Sequence, residues 1–253
     1  MRTEPLITAG PDPAHLMRRI REMLAGGRIN AARPLIGALR RLAPPAAQLA
    51  ELEARALLVE GNVAAALAQL DEGVARDPDA VALRMFRCEV RMQAQDAAGA
   101  AADAAEAVIL DARNPRAKAL LGVVMLELGH ADDAVACLQE AVTAEPTHAA
   151  FLKGLALAQE RAGDSLSAAA TLAAAIERVP GDVSVRTAAI MIAMRQRAFA
   201  QAADLAQAAC QAGIADACVF GLHGHALASL GRHDAANEAY AEALKLAPED
   251  PYV

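Results

Sequence analysis

The sequence has no tryptophan, and its aromatic complement is four phenylalanines and two tyrosines, 2% of 253 residues. A core built on large rings is therefore excluded, and the interior must pack by close approach of backbones. Of the 24 basic residues only Lys118, Lys153 and Lys245 are lysine. The four cysteines (Cys88, Cys137, Cys210, Cys218) are far apart and form no CxxC. That spacing excludes a disulfide scaffold and fits a reducing, cytoplasmic compartment. The longest strongly apolar stretches, Ala119–Leu126 and Ala188–Met194, fall short of a membrane span. The amino-terminal stretch MRTEPLITAGPDP has no apolar core, so no signal peptide is expected. GxGxxG, GxxxxGK[ST], HExxH and GxSxG are all missing. With no acid/base pair in one predicted cleft, the expectation is a protein without cofactor or catalytic centre.

What is abundant is alanine, at 68 positions. Alanine favours helix, and the scarcity of β-branched and aromatic residues disfavours sheet. The 55% apolar content argues against disorder. The net charge of −7 argues against nucleic acid as a partner.

The alanines keep a period of 34 residues. One column reads Ala32, Ala66, Ala100, Ala134, Ala168, Ala202 and Ala236. Twelve residues on stand Pro44, Pro78, Ala112, Pro146, Pro180, Ile214 and Pro248. A third column reads Gly27, Gly61, Gln95, Gly129, Gly163, Arg197 and Gly231. The period divides the chain, after an extension over 1–12, into seven repeats: 13–46, 47–80, 81–114, 115–148, 149–182, 183–216 and 217–250, with a stub at 251–253. Within a repeat, Leu120, Leu121, Val124, Met125 and Leu128 precede Gly129, and Ala134, Leu138, Ala141 and Val142 follow it. Each set is a helical stripe, so each repeat reads as two antiparallel helices with a glycine turn and a terminal proline.

Columns of small residues, turn glycines and terminal prolines at this period resemble the tetratricopeptide repeat. The resemblance covers nearly the whole chain, although columns usually aromatic hold Leu16, Ala50 and Leu152, or Met23, Leu57 and Met125. It implies an all-α, right-handed superhelical solenoid whose first helices line a concave groove and bind protein. The chaperone-tail carboxylate clamp of some members needs asparagine in that groove. Asn30, Asn62, Asn114 and Asn237 all lie elsewhere, so the clamp is excluded.

The third and sixth repeats lack the turn glycine, and the stripe of their first helices reads one residue early, as Leu83, Phe86, Val90 and as Val185, Ala188, Ile192. In strict register Arg84, Arg87 and Arg91 would be buried, at a cost unless paired. The expectation is a turn one residue longer in these repeats, which rotates Arg84, Arg91 and Arg186 to the groove. The groove face then reads Arg21, Arg55, Leu58, Arg84, Arg91, Arg116, Val123, Leu126, Lys153, Leu157, Arg186 and Met194, with Glu51 and Glu160 against them. Guanidinium forks suit carboxylates, so the expected ligand is an acidic, partly apolar peptide or helix; solvated arginines on a helix face are the alternative.

Charge is uneven along the chain. The first repeat carries seven arginines and one acid, net +6, and the last is net −3. Arg18, Arg19, Arg40 and Arg41 are thus candidates for head-to-tail self-association with the acidic last repeat of a second copy; a polar end surface kept for solubility is the other reading. Cys218 and His225 share a helical face near His223 and His233, but no further ligand is in place, so no metal is expected. Gly221 and Gly224 lie inside a helix, where close packing or a notch explains them. The leading function is a non-catalytic protein-binding scaffold. The alternative is a substrate-recruiting amino-terminal module of a larger bacterial methyltransferase, glycosyltransferase or hydroxylase.

Overall fold

A computed structural model describes residues 12–249. It contains fourteen helices among the described residues, in seven helix-turn-helix pairs, with no strand. The chain divides into two compact units, residues 1–112 and 113–253.

The first unit holds α1 (Pro13–Ala25), α2 (Ile29–Arg41), α3 (Ala46–Val59), α4 (Val63–Arg76), α5 (Val81–Gln93) and α6 (Ala97–Leu110). Leu16, Ile20 and Leu24 of α1 meet Ala32, Ile36 and Leu39 of α2 and Leu52 and Ala56 of α3. Ala50 and Ala54 of α3 meet Ala66, Leu70 and Val74 of α4 and Leu83, Phe86 and Val90 of α5. Each first helix therefore packs on its own second helix and on the next first helix, as stacked repeats must to bury their apolar stripes.

The second unit holds α7 (Pro115–Glu127), α8 (Ala131–Ala144), α9 (Ala149–Arg161), α10 (Ser165–Arg178), α11 (Val183–Arg195), α12 (Phe199–Gln211), α13 (Ala217–Ser229) and α14 (His233–Leu246). Ala134, Leu138, Phe151, Leu152, Leu155, Leu172 and Val185 form one core. Ile190, Ala206, Val219, Leu227 and Ala239 form the next. The helix starts are fixed locally. Asp12, Asn62, Asp96, Asn114, Asp164, Asp182 and Asp216 each accept a backbone N–H of the following first turn.

The small-residue columns are the closest crossings. A Cβ on Gly73 would stand 2.6 Å from the Ala50 Cβ, and one on Gly122 would stand 2.7 Å from Leu138 Cγ. Gly224 is close packing too, since a Cβ there would lie 2.7 Å from the Tyr240 ring, whereas Gly221 faces open space.

The third and sixth repeats correct the expectation of a longer turn. α5 ends at Gln93 and α6 begins at Ala97, the same interval as from Val59 to Val63. Gln95 and Arg197 occupy the glycine position in the left-handed conformation, at φ 62° and 59°. Nor does the stripe slide. The buried columns are Ala54, Cys88, Gly122, Ala156, Ile190, Gly224 and Ala56, Val90, Val124, Ala158, Ile192, Ala226, in strict register. Leu120, Leu121 and Met125 are only partly buried and Leu128 is exposed. The large side chains of the fourth repeat thus suggested a stripe that its small ones, Ala117, Ala119 and Gly122, carry.

Candidate functional site

Arg84, Arg87 and Arg91 recur on α5 at intervals of three and four, so they share one face of that helix. That face meets Asp103 of α6, whose carboxylate is 2% exposed. Arg87 donates Nε to Asp103 Oδ2 at 2.8 Å and Nη2 to Oδ1 at 2.5 Å. Its Nη1 reaches Asp71 of α4 at 2.8 Å. Arg91 Nη1 donates to Asp103 Oδ2 at 2.8 Å and to the Gly99 carbonyl at 3.0 Å. Arg84 stands 3.9 Å from Asp103 and donates Nε to the Pro78 carbonyl at 2.8 Å.

Burial works against the Arg87 charge, but its bonds to Asp103 and Asp71 outweigh that and hold its pKa above the ordinary value. Burial first, then the Asp103 and Glu89 charges, pushes the neighbouring Cys88 thiol up to about 12, so it is an inert filler. Arg84 and Arg91 are therefore corrected from groove residues to members of a packed ion cluster. Strict register does bury this face, and pairing removes the penalty that the longer turn was invoked to avoid. Arg186 repeats the Arg84 device, donating to the Pro180 carbonyl at 3.1 and 3.3 Å.

The other arginines of the first unit are also engaged. Arg21 donates Nη2 and Nε to Glu51 at 2.7 and 3.3 Å, and Arg55 donates Nε to the same carboxylate at 2.8 Å. Arg55 also lies 4.3 Å over the Phe86 ring, a cation–π contact. Burial raises the Glu51 pKa, but the bonds from Arg21 and Arg55 prevail and hold it below the usual carboxylate range. Leu58 is half-buried beside them. Arg21, Leu24, Ala25, Arg55, Leu58 and Val59 border an open pocket of about 390 Å³.

Of the first-repeat residues expected at a self-association surface, Arg40 donates to Glu53 of α3 at 3.1 Å; Arg33 of the same helix chelates Glu60. Arg18 contacts His15 at 3.0 Å. Arg19 and Arg41 are exposed, with no carboxylate partner among the described residues. Much of the basicity of the first repeat thus serves its stacking on the second.

In the second unit, Val123, Leu157 and Met191 occupy one column on α7, α9 and α11. Val123 is 39% and Met191 44% exposed, while Leu157 is half-buried. Met194 is half-buried, and Leu126 is 7% exposed, so it belongs to the core and offers no ligand surface. Arg116 is exposed, with no carboxylate partner among the described residues. Lys153 donates to Ser184 Oγ at 2.8 Å. Arg195 stands 2.6 Å from Glu160, close enough to neutralise it though outside hydrogen-bond angles. Burial lowers the His223 pKa, and Cys218 and His225 are exposed. Among the described residues no three potential metal ligands converge, and no helix is long and apolar enough to cross a membrane.

Sequence reasoning missed Asp103 and the bridging role of Glu51. The signal for Asp103 was its column. The neighbouring repeats hold Gln69, Cys137, Thr171, Leu205 and Ala239 there, and only the repeat with three stacked arginines holds an acid.

Tetratricopeptide repeat models match residues 18–81, 51–118, 119–183, 155–217 and 219–250. The chain belongs to the tetratricopeptide repeat family. Among curated proteins none matches it in sequence. A tetratricopeptide repeat protein of Parabacteroides merdae ATCC 43184 is similar in structure, with TM-score 0.70, 14% identity and 93% of each chain covered. The pilF protein of Pseudomonas aeruginosa matches with TM-score 0.62 and 18% identity, over 82% of this chain and 94% of its own. YrrB, described as a tetratricopeptide repeat protein with an unusual peptide-binding site, matches with TM-score 0.50 and 16% identity, over 72% of this chain and 94% of its own. At these identities the likeness is one of fold. The fold is that of a protein-interaction scaffold.

Proposed function

We propose that this chain is a non-catalytic scaffold that binds an acidic, partly apolar peptide along the exposed faces of its first helices. The observation that carries this reading is the column of Val123, Leu157 and Met191. Two of these three apolar side chains are over a third exposed, and each stands on a successive first helix. A folded repeat gains nothing by exposing valine and methionine at one column, whereas a bound segment would bury them. Arg116 and Lys153 flank the column, and the one partly buried acid nearby, Glu160, is neutralised by Arg195. That electrostatic setting favours carboxylates on the ligand. In YrrB, a protein of this fold carries a peptide-binding site.

The test is fluorescence anisotropy with a labelled, acetylated and amidated peptide of alternating leucine and glutamate. Val123→Glu with Met191→Glu weakens its binding by about tenfold or more, the equivalent of about 1.4 kcal/mol. Unchanged affinity in the folded double variant refutes the reading.

A second reading rests on Arg18, Arg19 and Arg41, which are exposed and have no carboxylate partner among the described residues, and on Asp234 and Glu238 of α14, which are likewise exposed. Contact between these surfaces of two copies would be head-to-tail. Light scattering at low and high salt tests it: an oligomer that dissociates with salt supports it, and a salt-independent monomer removes it.

A further inference from the structure

We infer that Arg21 and Arg55 form a carboxylate-reading site in the first unit, that the chain keeps this site partly filled with its own Glu51, and that its outside ligand is a glutamate side chain next to an aliphatic residue. The inference rests on the peptide-binding reading above and assigns it a specificity site. Two guanidiniums converge on one carboxylate, so the trio itself carries one more positive than negative charge. Both remain open to solvent, with side chains 45% and 42% exposed. Glu51 takes Nε and Nη2 of Arg21 but only Nε of Arg55. The Nη groups of Arg55 and Nη1 of Arg21 remain as donors for a second carboxylate, in the fork geometry that guanidinium offers.

Arg55 is also held in place. Its plane lies 4.3 Å over Phe86, so less rotamer entropy is lost when it binds. The chemistry beside the fork specifies the rest of the ligand. Leu24, Ala25, Leu58 and Val59 border the open pocket of about 390 Å³ next to the two arginines. An aliphatic side chain adjacent to the glutamate would bury its surface there. The resident occupant, Glu51, shows which anionic group the pair already accepts: a glutamate carboxylate reaching both arginines at once. Its charge also opposes an incoming one, so Glu51 sets the affinity low.

The test uses the full chain and the labelled leucine–glutamate peptide, with a leucine–glutamine peptide as control. Glu51→Gln removes the resident charge and tightens the acidic peptide about tenfold, while the control peptide does not respond. Val59→Glu places a carboxylate at the exposed rim of the pocket without touching Glu51 and weakens the acidic peptide by a similar factor. It serves as the second variant should Glu51→Gln loosen the packing of α1 on α3. A folded Glu51→Gln protein with unchanged or weaker affinity, or indifference to Val59→Glu, overturns the inference. Tightening seen only with a free carboxy-terminal carboxylate overturns the side-chain assignment. If the peptide binds and responds to Val123 and Met191 but not to Glu51 or Val59, the scaffold reading stands and this site falls. If the peptide binds neither the native chain nor Glu51→Gln, both fall.

Discussion

Asp103→Asn keeps side-chain volume and removes the charge at the centre of the arginine cluster of the first unit. The carboxylate is 2% exposed and holds Arg87 through two hydrogen bonds and Arg91 through one, with Arg84 at 3.9 Å. The three arginine side chains are themselves only 11–20% exposed. Asparagine keeps one acceptor but presents its amide hydrogens to guanidinium donors, leaving Arg87 to Asp71, Arg91 to Asp71 and Asp96, and Arg84 with the Pro78 carbonyl. Removing one partner of a buried ion cluster costs about 3–5 kcal/mol. Asp71 stays in place and water reaches the rim, so the lower end, about 3 kcal/mol, is expected. The assay is urea unfolding, because guanidinium would screen the charges under test.

The complementary variant replaces the cluster with what other repeats carry in the same columns. These are Leu121 and Leu155 opposite Arg87, Leu57 and Met125 opposite Arg91, and Ala239 opposite Asp103. Arg87→Leu, Arg91→Met and Asp103→Ala combined should recover most of the loss, since apolar replacements of buried ion clusters are often neutral or stabilising. A loss below about 0.5 kcal/mol for Asp103→Asn, the range of an inconsequential surface change, refutes the reasoning. So does a triple variant no better than the single one.

Gln95→Gly and Arg197→Gly relieve left-handed conformations at φ 62° and 59°. Each should gain about 1 kcal/mol after the added freedom of the unfolded glycine is deducted, read as a higher urea midpoint with unchanged slope. Gly224→Ala and Gly221→Ala form a matched pair on α13. The first drives a methyl to 2.7 Å from Tyr240 and costs about 1–3 kcal/mol. The second meets open space and gains about 0.5–1 kcal/mol of helix propensity. Glu51, whose pKa is depressed in the folded chain, contributes stability above its unfolded pKa and loses it as pH falls through the folded value. Urea midpoints followed from neutral pH into the acid range should therefore fall less steeply in Glu51→Gln than in the native chain.

The repeat architecture was legible because its cause is periodic. Small residues at helix crossings, left-handed turns and helix stops recur at one interval, and no tertiary information is needed to see it. The buried face of the first helices was harder. Leu120, Leu121 and Met125 outrank Ala117 and Gly122 in hydropathy, yet a close-packed alanine-rich interface buries the small residues and leaves larger ones at its margin. The site misreading followed directly. Once the stripe was displaced, Arg84 and Arg91 fell on the wrong side of α5, and Asp103, the one acid in a column of mixed residues, looked incidental. Arg21 and Arg55 read from sequence as one face with Glu51 against them, but the 30-residue separation of Arg21 from Glu51 hid the hydrogen bonds that join them.

The two units distribute their electrostatics differently, and this bears on where a ligand can be read. In the first unit, three arginines of the opening repeat, Arg21, Arg33 and Arg40, pair with Glu51, Glu60 and Glu53 of the next. The arginine ends of these pairs are about half exposed, so solvent screens them and each contributes little to stability. They set register rather than supply stability, which Leu16, Ile20, Leu39 and Leu52 provide. An arginine whose pairing contributes little to folding can exchange its carboxylate for one on a partner at low cost. An arginine locked to a buried acid, as Arg87 is to Asp103, cannot. The exchangeable charges of the first unit are therefore those on α1, α2 and α3. In the second unit the exposed apolar column of α7, α9 and α11 offers area with few charges. The two units therefore present different chemistries to a ligand, exchangeable charge in the first and exposed aliphatic area in the second.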